Sequence, residues 1–135
     1  NQEYLDLVFN EYYTQHICLF ASEDWPEPVL RRFGHINQHV YEYMQGPSEF
    51  VPGGILIHWS VCDDLVTLLV PTFMIGSNYD TMNPDEMKEM ATLVQNGRSL
   101  HCENGSHLAM WDEQDFYIEG VIDFIKDVND GSFLE

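Results

Sequence analysis

A chain of 135 residues, 44% apolar and 13% aromatic, is long enough for one ordinary domain with a sizeable core. Its 23 acidic residues against 5 basic ones leave a net charge of −18. Such a chain repels phosphate backbones and anionic membranes, so neither nucleic acid nor a membrane is expected as a partner.

The acidity suits solubility, a cationic substrate or a high-salt environment alike. Cys18, Cys62 and Cys102 are odd in number and far apart, and read as reduced thiols of a cytoplasmic protein rather than a disulfide framework. No apolar run approaches membrane-spanning length, and there is no signal-peptide pattern. The first residue is Asn1 rather than Met and leads at once into a helical pattern, so a piece of a longer protein is expected.

In chain order, Tyr4, Leu5, Val8, Tyr12 and Ile17 recur at helical spacing, predicting an amphipathic helix over 2–20. The prolines of "EDWPEPVLRRF" break it and begin a short helix through Val29, Leu30 and Phe33. "INQHVYEYM" is a further helix, stopped by Gly46 and Pro47. After "VPGG" the character changes. The apolar run Val66–Val70 and Phe73–Ile75 predicts a buried parallel strand covered on both faces. Asn83 as N-cap, Pro84 at the first helical position and Glu86 open the next helix, with Met87, Met90, Ala91 and Val94 as its buried face. "GRSLHCENGSH" supplies a turn, a strand and a loop. A last helix starts near Asp112 and turns Tyr117, Val121, Phe124, Ile125 and Val128 inward. The second half is thus strand, helix, strand, helix, a parallel α/β arrangement.

Functional groups of open α/β sheets gather beyond the carboxyl ends of the strands. Asp80 follows the first strand after a short polar turn, and His107 follows the second after a similar one. If the strands are parallel neighbours, both loops leave the same sheet edge, where a carboxylate can fix the tautomer of an imidazole. An Asp bonding its own turn and an exposed loop histidine satisfy the same pattern. The order Asp then His fits the hydrolase order Ser…Asp…His. The matching G-x-S-x-G elbow is absent: Ser48, Ser77 and Ser106 all lack a glycine two places on, and no cysteine sits in such an elbow. His101, Cys102 and His107 raise a metal site, but adjacent strand residues point to opposite faces and make poor co-ligands. No metal or cofactor is expected.

"VYEYMQGPSEF", "PTFMIGSNYDTMNP", "NGRSLHCENGSHLAMW" and "GVIDFIKDV" together resemble the C-terminal half of proline iminopeptidases, α/β-hydrolases related to L-amino-acid amidases. "EYY..H" and "WPEP" resemble that family's cap, so the likeness spans nearly the whole chain. The resemblance implies a partial α/β-hydrolase fold. Residues 1–58 would end a helical cap, and 59–135 would carry the last parallel strands and helices of the core. It implies Asp80 as the triad acid, His107 as the general base and Glu49 as the cap carboxylate holding the substrate's free α-amino group. Without it, Glu49 reads as a solvated loop residue.

Some iminopeptidases carry a second amine-binding glutamate directly after the triad aspartate, where this chain has Thr81. Strict selection of N-terminal proline is therefore not implied. The family's early strands, oxyanion loop and serine elbow precede the region matched. The expectation is the C-terminal portion of a serine aminopeptidase acting on small peptides or aminoacyl amides. It is inactive without its N-terminal half, and Tyr12, Tyr13, Trp25 and Phe33 help form an aromatic cap. An esterase, an epoxide hydrolase, an L-amino-acid amidase and a non-catalytic binding protein stand as alternatives.

Overall fold

The structure, a computed structural model, describes residues 2–48 and 50–134, Leu134 by its backbone only. The chain forms two compact units. One joins the residues up to 24 with those from 64 onward, and the other is Trp25–Asp63.

The first unit opens with α1 (Gln2–Leu7), runs through a π-helical turn (Val8–Tyr12) and ends as α2 (Tyr13–His16). The Thr14 hydroxyl bonds back to Asn10 O at 2.8 Å within this irregular stretch, a side-chain competition that commonly disturbs helices. The predicted helix stops at His16 rather than residue 20. Ile17 N and Cys18 N close the last turn on Tyr13 O. Ile17 and Cys18 are then buried, and the backbone finds its partners elsewhere.

In the second unit, α3 (Glu27–Gly34) buries Val29, and α4 (Gln38–Met44) starts at Asn37, whose side chain accepts from Val40 N at 3.2 Å. Gly46, at φ 113, ends that helix in a conformation other residues rarely adopt.

The α/β layers belong to the first unit. The strands β1 (Thr72–Ser77) and β2 (Gly97–Cys102) pair in parallel, from Thr72 opposite Gly97 to Ser77 opposite Cys102. The crossover between them is α5 (Pro84–Leu93). Asn83 caps it by accepting from Asp85 N at 3.0 Å, and Ala91 and Val94 are buried behind it. After β2 come α6 (Ala109–Asp112) and α7 (Gln114–Asp130).

Strand alternation assigns the two faces. Gly76 faces α5, where an added Cβ would lie 3.0 Å from Pro84, and Gly97 faces Ala91 and Val94. On the opposite face Phe73 stacks on Phe124 at 4.7 Å, and Leu100 packs where Gly120 leaves α7 without a side chain. The sheet is therefore sandwiched between α5 and α7.

Two sequence expectations need correction here. The run Val66–Val70 is not strand: a 3-10 helix (Cys62–Thr67) occupies its start, and Val66, Leu69 and Val70 are exposed. Pro71 separates the run from the ladder, which opens with Thr72 N bonding Asn96 O at 2.9 Å. On α7, Tyr117, Val121 and Phe124 are half-buried, whereas Ile125 and Val128 are exposed. The helix is apolar on more than one side, and only one side meets the sheet. No described helix is long and apolar enough to cross a membrane.

Candidate active site

Parallel pairing sends the loops after β1 and β2 off the same edge of the sheet, and hydrogen bonds continue between them. Asn78 N donates to Cys102 O at 3.1 Å, Tyr79 N to Gly105 O at 3.1 Å, and the Asn78 amide to Glu103 O at 2.8 Å. This zipper brings Asp80 to His107, with His107 Nδ1 3.0 Å from Asp80 Oδ1.

Burial pushes the Asp80 carboxyl up. The His107 hydrogen bond, the Met82 N–H, the neighbouring imidazole and the Thr81 hydroxyl together outweigh it and hold the group below its ordinary value. Asp80 is therefore an ionised acceptor at neutral pH, and Nδ1 of His107 must carry the proton. That leaves Nε2 as the basic nitrogen of the neutral ring. The side chains are 13% exposed at Asp80 and 35% at His107, a sheltered carboxylate beside a more accessible imidazole.

The loop before His107 is tightly constrained. Gly105 is buried, and an added Cβ would meet Ala109 at 2.7 Å and Cys102 at 3.0 Å. The carboxylates of Asp112 and Glu113 collect its backbone donors: Asn104 N bonds Glu113 at 3.0 Å, and Ser106 N bonds Asp112 at 3.0 Å. The Ser106 hydroxyl, almost wholly buried, touches both Ile17 O and the Asp112 carboxylate.

Of the residues singled out in the sequence, the structure brings Asp80 and His107 together. Glu49 lies outside the described residues. The Thr81 hydroxyl donates to Asp80 Oδ1 at 3.2 Å. Tyr12 contacts Tyr13 and the His16 ring in the first unit, and Trp25 stacks on Phe33 at 6.0 Å in the second. His101 bonds the Asn78 amide oxygen at 2.9 Å, while Cys102 is fully buried. Sequence reasoning missed His16, Ser106 and Asp112. His16 reaches Tyr79 and His107, and Ser106 reaches Ile17, through bonds spanning more than 60 residues, which no local pattern announces, while Asp112 joins Ser106 to Leu19.

No protein-family model matches the chain. It is 46% identical over 130 residues to a proline iminopeptidase of Flavobacterium johnsoniae, covering 96% of this chain and 43% of that protein. A proline iminopeptidase of Elizabethkingia meningoseptica is 48% identical over 135 residues, covering 98% and 45% respectively. Among solved structures, VinJ superposes with a TM-score of 0.78 at 32% identity, over 87% of this chain and 40% of that one. The Mycobacterium smegmatis proline iminopeptidase gives a TM-score of 0.80 at 23% identity, over 90% and 41%, a likeness of fold. The chain thus spans under half the length of the relatives it matches. Over that segment the chain is similar in sequence to proline iminopeptidases and has the fold of part of an α/β-hydrolase.

Proposed function

We propose that this chain supplies the acid, the base and the amine anchor of a serine aminopeptidase that releases N-terminal proline or another apolar residue from peptides and aminoacyl amides. The observation that carries the reading is the Asp80–His107 pair, 3.0 Å apart at the carboxyl edge of two parallel strands.

In this role His107 Nε2 takes the proton of a serine hydroxyl as the serine attacks the scissile carbonyl, and returns it to the departing amine. Asp80 stays ionised throughout, fixing the tautomer and stabilising the imidazolium. The serine comes from the part of the family's length that this chain does not span. Two features support a complementary half: each strand of the two-stranded sheet has an outer edge that no other described strand pairs, and Leu69, Val70, Ile118 and Ile122 are exposed among the described residues. On this reading the isolated 135-residue chain has no peptidase activity.

Glu49 pairs with the substrate ammonium and so selects unblocked N-termini. The net charge of −18 draws such cations in. Thr81 gives its hydroxyl to Asp80 and offers no second carboxylate, which favours a broader choice of first residue than proline alone.

The test compares prolyl and alanyl p-nitroanilides, free and N-acetylated, on the complete polypeptide. Free amines should turn over and acetylated ones should not. Glu49→Gln should cost about 10–100-fold in kcat/KM, the worth of one charge-assisted hydrogen bond. Equal hydrolysis of free and acetylated substrates would contradict the reading.

A further inference from the structure

His16 touches both loops that carry the Asp80–His107 pair. Its ring Nδ1 lies 3.0 Å from Tyr79 O, one residue before Asp80. A carbonyl only accepts, so Nδ1 of His16 is the donor. The backbone carbonyl of the same residue accepts from His107 N at 3.0 Å. One side chain and one peptide group thus tie the acid's loop and the base itself to a single residue.

The residues that follow extend the tie. Ile17 O accepts from Leu108 N at 3.0 Å and from the Ser106 hydroxyl at 2.8 Å. Leu19 N donates to Asp112 Oδ2 at 3.0 Å, and the other oxygen of that carboxylate holds Ser106 N. Residues 106, 107 and 108 are therefore all bonded, directly or through Asp112, to residues 16–19. Ile17 and Cys18, 7% and 0% exposed, anchor the segment by packing.

We propose that residues 16–19 form a positioning strap for the acid–base pair, with His16 as its positioning residue. The inference rests on reading Asp80 and His107 as the hydrolase acid and base. The strands fix the roots of the two loops, but the pair sits several residues beyond the ladder, at Asp80 and His107. Proton transfer from a serine demands placement finer than a strand register supplies. The strap meets that demand by bonding residue 79 and residue 107 to one segment, anchored by the buried Ile17 and Cys18. It also explains why the first helix ends at His16: a continued helix would spend on itself the carbonyls that hold Ser106, His107 and Leu108.

The experiment uses the complete polypeptide with His16→Ala, His16→Asn, Ser106→Ala and, as control, His107→Ala. The Asn amide nitrogen occupies nearly the place of Nδ1, so it restores the donor to Tyr79 O that Ala deletes. His16→Ala should lower kcat about 10–100-fold, a loss typical of misplaced catalytic groups, with KM within about twofold. His16→Asn should recover kcat to within about threefold of wild type, beyond what a merely structural role predicts. Ser106→Ala, which deletes the hydroxyl bond to Ile17 O, should lower kcat in the same way at unchanged KM.

A wild-type kcat in both His16→Ala and Ser106→Ala would overturn the strap, as would His16→Asn failing as badly as His16→Ala. If those results came with an inactive His107→Ala, the acid–base reading would stand and only the strap would fall. Wild-type turnover by His107→Ala would remove both.

Discussion

Asp80 meets His107 through one oxygen: Oδ1 accepts from His107 Nδ1 at 3.0 Å, from Met82 N at 3.1 Å and from the Thr81 hydroxyl at 3.2 Å. Its partners sit in its own turn and on the neighbouring loop, so it closes the turn after β1 while orienting the His107 ring.

That arrangement has a pH signature. The folded state holds Asp80 below the ordinary carboxylate pKa, so on acidification the unfolded chain takes up this proton first. The stabilisation is fully present above about pH 3.9, the ordinary aspartate value, and is lost as pH falls through the lowered one. Urea midpoints of wild type and Asp80→Asn should differ at pH 7 and converge towards pH 2. A gap that stayed constant across that range would show that Asp80 is not held ionised by its partners.

The thiols give a second, independent check. Burial, reinforced by the negative charge of Glu113, pushes Cys102 up to about 11, while Cys62 is exposed and Cys18 buried. At pH 8 a chromogenic disulfide should titrate one thiol quickly and the other two only after denaturation. A thiol that the folded state keeps protonated stabilises below its unfolded pKa, so this contribution should fade from about pH 8.5 upward through about 11. Rapid reaction of all three thiols in the native chain would contradict the packing behind the His107 loop.

Two glycines should respond very differently to alanine. At Gly97 a Cβ would lie 1.9 Å from the Ala91 carbonyl oxygen, a backbone atom that cannot step aside. At Gly120 it would meet the tip of the Leu100 side chain at 2.8 Å, which can turn away, and a helix interior gains from the exchange. Gly97→Ala should cost about 2 kcal/mol or more, and Gly120→Ala about 1 kcal/mol or less. Thermal unfolding orders the two, and the reverse order would contradict the packing of α5 and α7 on the sheet.

What the sequence made legible was local. Asn83 announces α5 because a cap and its helix are neighbours in the chain, and Gly97–Cys102 announces a strand between its turn and loop. Asp80 and His107 were visible as candidates because parallel topology converts their order into proximity. Residues 16–19 were not legible. Their apolar pattern continues the preceding helix, while the partners that hold them lie about 90 residues further on, at Ser106, Leu108 and Asp112. The run Val66–Val70 misled for a related reason: apolar character marks surface that suits burial, not the ladder it joins. Ile125 and Val128 looked like core because α7 is apolar on more sides than one sheet can cover.

The most direct measurement of the central claim is the steady-state turnover of an unblocked aminoacyl p-nitroanilide by the complete polypeptide and by its His107→Ala variant, matched in thermal stability. If His107 is the base held by Asp80, kcat falls by about a thousandfold or more while KM changes little, the loss seen when one member of an acid–base–nucleophile set is removed. A His107→Ala kcat within threefold of wild type would contradict the account.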